Sequence, residues 1–119
     1  MATIVYHYPG CDTCRRALKW LRAADIAHGA VHIVDQPPTA QQLSEAQRRS
    51  GLPLRAFFNT SGQSYREGGF SARLPTMDEA AQFAALAADG KLIKRPLLIG
   101  DDVVLVGFKE ALWADALGR

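Results

Sequence analysis

Two cysteines are too few to knit a disulfide scaffold across 119 residues. A single domain of about 100–150 residues buries most of its apolar surface without staples, so none is needed. No stretch approaches the roughly 18 apolar residues of a membrane span, and the opening MATIVYHYPG lacks the basic start and apolar core of a secretory leader. Neither sign of charge dominates. The formal net charge is +2, and the basic residues are scattered apart from the pairs Arg15-Arg16, Arg48-Arg49 and Lys94-Arg95, too weak a pattern to argue for nucleic-acid binding by charge alone. Internal repeats and low-complexity linkers are also missing. What remains, with 48% hydrophobic and 22% charged residues, is the composition of one folded, cytoplasmic domain spanning 1–119. In that reducing compartment, two cysteines close in sequence are more often catalytic or metal-binding than structural.

The order of elements can be read from pattern. TIVYHY (Thr3–Tyr8) is β-branched and aromatic and stops at Pro9-Gly10, which predicts a strand closed by a turn. From Cys14, the residues Ala17, Leu18 and Leu21 recur at helical spacing, with Arg15, Arg16, Lys19 and Arg22 on the other face. Cys11 falls at the start of that helix. AVHIVD (Ala30–Asp35) predicts a second strand, and Thr39 with Gln42 predicts a capping box opening a helix that Gly51 ends. Leu52 to Phe70 has no clean period and reads as loops and short helical turns. Thr76 with Glu79 repeats the capping-box signal before an Ala-rich helix ending near Asp89-Gly90. LLIGDDVVLVGF predicts a hairpin turning at Gly100-Asp101-Asp102, and a last helix runs from about Lys109 to Leu117. The fold class is therefore α/β, a thioredoxin-like βαβ…ββα order with an inserted helical subdomain over approximately residues 37–90.

Cys11-Asp-Thr-Cys14 places two thiols on one face of a first helical turn. Unpaired N–H groups and the positive end of the helix dipole favour a thiolate at Cys11, the nucleophilic form, and Arg15 and Arg16 add positive charge. Cys14, one turn further in, would then be the resolving thiol. Two other readings stay open. A zinc site needs four ligands, and His7, His28 and His32 offer no second pair at a recognisable spacing; alternatively, both cysteines are small buried apolar residues.

Two further stretches bear on chemistry. In IKRPLLI, Pro96 directly precedes an apolar strand, so it is an edge or turn residue and a candidate cis-proline. Arg95 before it either grips an oxyanion or carboxylate or is a solvated charge. FNTSGQSYRE (Phe58–Glu67) is a polar, glycine-containing loop that either binds something or merely connects.

Taken together, YHYPGCDTCRRALKWL, FNTSGQSYRE and LIKRPLLI…VLVGF resemble the arsenate reductase (ArsC)/Spx family across nearly the whole chain. The resemblance implies a thiol oxidoreductase in which Cys11 is the nucleophile and Cys14 the second cysteine found in Spx-like members. It places His7 where a histidine favours the thiolate, and Arg95 where an arginine binds the oxyanion ahead of a cis-proline, here Pro96. His7, Asn59, Lys94 and Pro96 form the implied substrate-binding set, with no metal and no bound cofactor. Implied partners are a small oxyanion or thiol substrate, with thioredoxin or glutathione and glutaredoxin as electron donor. In the Spx-like alternative the disulfide is a redox switch on a regulator that binds the RNA polymerase α subunit; a third variant binds glutathione without reducing arsenate. The reductases carry further arginines where this chain has Asn59 and Gly107. Each lost charge-assisted hydrogen bond is worth about 1.5–3 kcal/mol, so the resemblance implies weaker oxyanion binding here.

Overall fold

The computed structural model describes residues 3–119; the first two, part of the N-terminal reading above, lie outside the described residues. The chain divides into two compact units, one built from residues 1–32 and 95–119 and the other from 33–94.

The first unit holds a four-stranded sheet in the order β2-β1-β3-β4. Strand β1 (Ile4–His7) leads through helix α1 (Asp12–Ala23) to β2 (Gly29–His32). The two strands pair in parallel, with Val5 opposite Ala30 and His7 opposite His32. The chain returns as β3 (Leu97–Ile99), antiparallel to β1, and β4 (Val104–Val106), antiparallel to β3. Val5, Ala17, Leu21, Leu98 and Trp113 form the buried centre of this unit, so the apolar stripe of α1 packs on the sheet as its period requires. Trp113 comes from the closing helix, which spans Glu110–Ala116.

The second unit is helical. Its helices are α2 (Ala40–Ser50), α3 (Gln63–Glu67), α4 (Phe70–Arg73) and α5 (Glu79–Ala88), with α6 naming the Glu110–Ala116 helix of the first unit. Short 3-10 turns cover Leu54–Phe57, Leu74–Thr76 and Gly90–Leu92. A single antiparallel bridge joins Phe58 and Ile93. At Gly90 two backbone segments of this unit meet closely: a Cβ there would lie 2.0 Å from the Ile33 carbonyl oxygen.

The capping box at Thr39 forms as expected, with Gln42 N–H donating to Thr39 Oγ1 at 3.1 Å and Thr39 N–H to Gln42 Oε1 at 2.9 Å. Gly51 ends that helix at φ 70°, the left-handed turn glycine adopts without a Cβ penalty. The second capping box does not form. Asp78 caps α5, its Oδ1 accepting from Ala81 N–H at 2.8 Å, while the Thr76 hydroxyl donates backward to Arg73 O. Aspartate caps as well as threonine and sits two residues nearer the helix, so it takes the role.

Two boundaries also shift. The second strand is Gly29–His32 and not Ala30–Asp35, because β1 ends at His7 and the parallel ladder ends with it, at His32. Ile33 turns its side chain into burial instead. Pro96 takes the turn alternative: it directly precedes β3, an inner strand, and the Arg95–Pro96 peptide is cis, as the sequence suggested. Its carbonyl accepts from Gly107 N–H at 2.9 Å.

Candidate active site at the start of helix α1

Cys11 is the N-cap of α1, in extended backbone at φ −102° and ψ 111°. Its sulfur accepts the Cys14 N–H at 3.2 Å, doing for the helix what a serine or aspartate oxygen usually does. The loop before it is held by Cys11 N–H donating to Tyr8 O at 3.0 Å. Arg15 fastens the same loop to the helix, donating to Pro9 O at 2.6 Å and pairing with the Asp12 carboxylate. The positive charge expected beside Cys11 from Arg15 is therefore balanced by Asp12. Arg16 turns to the Thr13 hydroxyl at 3.5 Å.

Both cysteines are free; Cys11 is half-buried and Cys14 is buried. Burial pushes the Cys14 thiol up to about 12, helped by the hydrogen bond and charge of Cys11 and opposed by the Tyr8 backbone and the Arg95 charge. Cys14 is thus a neutral thiol in the resting protein. The fold's preference for that neutral form has a pH signature. The unfolded chain ionises a cysteine at about 8.5, so the stability is fully present below that pH and is lost as pH rises toward about 12. Between these values the wild type should lose about 1.4 kcal/mol per pH unit more than Cys14→Ala. Urea denaturation under a non-thiol reductant from pH 8 upward measures the difference; parallel curves for the two proteins would refute it.

Arg95 reaches the site from the turn before β3. Its guanidinium carbon stands 4.8 Å from the centre of the Tyr8 ring, and its Nε is buried. His7, at the end of β1, has its ring centroid 6.3 Å from that of His32 across the parallel pair. Burial lowers the His7 pKa and the neighbouring His32 charge lowers it further. At neutral pH, His7 is therefore an uncharged imidazole, and what it can offer an anion is a dipole or a hydrogen bond.

Cys11, Cys14, Arg95, Pro96 and His7 all belong to the first unit. Asn59 and Lys94 belong to the second. There Asn59 donates its N–H to Leu92 O at 2.8 Å and folds its side chain over Gly62, while Lys94 N–H donates to Phe57 O at 2.8 Å and its side chain is exposed. Tyr8 escaped the sequence reading, and His32 entered it only as a possible metal ligand; their rings meet edge-on at 5.5 Å. The one available signal was an aromatic residue directly ahead of Pro-Gly-Cys. Among the described residues, no group of three or more His, Cys, Asp or Glu side chains is placed to hold a metal, and no helix is long and apolar enough to cross a membrane.

Comparison with known proteins places the chain by sequence and by fold. A solved structure of an ArsC family related protein from Bacteroides fragilis superimposes with a TM-score of 0.92 at 47% identity, covering 97% of each chain. Bacillus subtilis (strain 168) YusI, a protein of uncharacterised function, is 46% identical over 92% of this chain and 93% of its own. The same organism's regulatory protein MgsR is 24% identical over 87% of this chain and 80% of its own. An arsenate reductase of Neisseria meningitidis is 29% identical over 87% of each chain. The model of the ArsC family matches residues 6–116, from β1 through the cysteine turn and the Arg-Pro strand to the last helix, and the chain belongs to that family.

Proposed function

We propose that the protein is a thiol-dependent oxidoreductase of the arsenate-reductase type, with Cys11 as nucleophile, Arg95 as anion-binding group and Cys14 as resolving thiol. The observation that carries this reading is the helix-capping sulfur: Cys11 receives the Cys14 N–H at 3.2 Å in a loop that also faces Arg95 through Tyr8. A helix N-terminus with a backbone N–H directed at the sulfur suits an attacking thiolate.

In the first step the Cys11 thiolate bonds to the central atom of the oxyanion, and an oxygen ligand leaves as water after taking up protons. In the second, the Cys14 sulfur loses its proton and attacks the Cys11 sulfur. A disulfide forms and the sulfur–arsenic bond breaks with its electron pair on arsenic, which leaves as arsenite. The high resting value of Cys14 is partly of Cys11's making. Once Cys11 is consumed in the adduct, its contributions end while the Tyr8 backbone and Arg95 still act to lower the Cys14 value. Thioredoxin, or glutathione with glutaredoxin, would then reduce the disulfide. Asn59 and Lys94 enter as substrate-binding residues through the family resemblance alone and have no role in these steps.

The test is NADPH consumption with arsenate, coupled in turn to each donor system, for the wild type, Cys11→Ser and Cys14→Ser. Turnover abolished in Cys11→Ser, and lost in Cys14→Ser with one donor only, is the expected result. No turnover in the wild type with either donor, or turnover that survives Cys11→Ser, would sink the reading. The likeness to the regulatory protein MgsR supports a second reading, as a regulator; the Spx-like resemblance would make the Cys11–Cys14 disulfide its switch and RNA polymerase its partner. Retention of the polymerase α subunit in one redox state and not the other would favour it, and no retention in either state would remove it.

A further inference from the structure

The Tyr8 side chain has no place in the steps above, yet four parts of the site converge on Tyr8. Its carbonyl takes the Cys11 N–H at 3.0 Å, and its backbone acts on the Cys14 sulfur. Its ring lies beneath the Arg95 guanidinium at 4.8 Å and meets His32 edge-on at 5.5 Å. Gly10 completes the seat: a Cβ there would stand 3.3 Å from Tyr8 Cε2 and 3.6 Å from Cδ2, so the ring is flush against the turn that presents Cys11.

From this we infer that Tyr8 is a positioning residue that sets substrate charge preference, its ring holding Arg95 so that Cys11 reacts selectively with anionic partners. The inference rests on the reading of Cys11 as nucleophile and Arg95 as its anion-binding group. An arginine on a four-bond stem has many rotamers, and a flat ring with a negative face restricts them. The main chain of the same residue fixes both thiols. One residue therefore couples the direction of the charge to the direction of the sulfur, and the phenolic oxygen is not required for it.

Alkylation of Cys11 reads this directly. The sulfur bonds to the methylene carbon of iodoacetate or of iodoacetamide and iodide leaves, and peptide mapping separates Cys11 from Cys14. The ratio of the two rates reports charge preference, with the neutral reagent as internal reference. Arg95→Gln should lower the ratio on the order of tenfold, Tyr8→Leu should fall to within about twofold of Arg95→Gln, and Tyr8→Phe should stay within about twofold of the wild type. Gly10→Ala keeps the tyrosine but presses a methyl on its ring, and should lower the ratio by less than Tyr8→Leu; it carries the test if Tyr8→Leu does not fold. A low ratio in Arg95→Gln beside wild-type ratios in Tyr8→Leu or Gly10→Ala overturns the inference and leaves the functional reading intact. A Cys11 inert to both reagents, or a ratio unmoved by Arg95→Gln, overturns both.

Discussion

Gly90→Ala should cost about 3–5 kcal/mol, a large part of the 5–15 kcal/mol that holds a domain of this size together. The added methyl carbon would stand 2.0 Å from the Ile33 carbonyl oxygen, 2.7 Å from its carbonyl carbon and 3.0 Å from Val34 Cα. All three are backbone atoms, so no side chain can rotate away. Either the Gly90–Leu92 turn or the segment at Ile33 has to move by about an ångström, and each is anchored. Asp89 Oδ1 accepts from Lys91 N–H at 3.0 Å, and the Ile33 side chain is completely buried. The contrast is Gly51→Ala, where nothing lies within 4 Å but φ is 70°. That substitution meets only the left-handed conformational penalty of about 1–2 kcal/mol. Urea midpoints for both variants give the comparison. A Gly90→Ala protein less destabilised than Gly51→Ala would show that the close approach at Ile33 is not what closes the 33–94 unit.

The second large effect belongs to Trp113→Ala, also about 3–5 kcal/mol. Trp113 is buried among Val5, Ala17, Leu21 and Leu98, stacks edge-on against Phe108 at 4.9 Å and Trp20 at 6.4 Å, and donates its indole N–H to Gly107 O at 3.0 Å. Truncation leaves a cavity and removes the donor for that carbonyl. Trp113→Phe keeps most of the packing and loses the donor alone, so it should cost about 1–2 kcal/mol. Equal losses in the two variants would mean that the hydrogen bond and not the packing holds the closing helix. Thermal or urea unfolding with near-ultraviolet circular dichroism follows both.

The sheet, the first helix and the Thr39 cap were legible because each is specified locally: a β-branched run, a helical stripe, and a side chain that reaches its own backbone three residues on. The second strand was misjudged at its far end because its length depends on β1, a partner more than twenty residues earlier. The Thr76 cap failed because Asp78 competes for the same helix end. At the site, the position of Cys11 could be read from its turn and helix, and Arg95 from its proline. Tyr8 could not be singled out, since its part depends on a ring meeting residues 24 and 87 positions away, His32 and Arg95. No local pattern records such meetings.

Gly107 limits how this chain could be engineered. Placing an arginine at that position, where the resemblance implies the reductases carry one, is a natural first attempt at building an oxyanion site. The residue sits at φ 72°, its N–H donates to Pro96 O at 2.9 Å, and its carbonyl takes the Trp113 indole N–H at 3.0 Å. A graft there alters a left-handed turn that ties the Arg-Pro entry to the tryptophan of the core. Gain of function by single replacement therefore trades directly against foldedness, and a successful redesign would begin with the backbone of the 104–107 strand end before any charge is added.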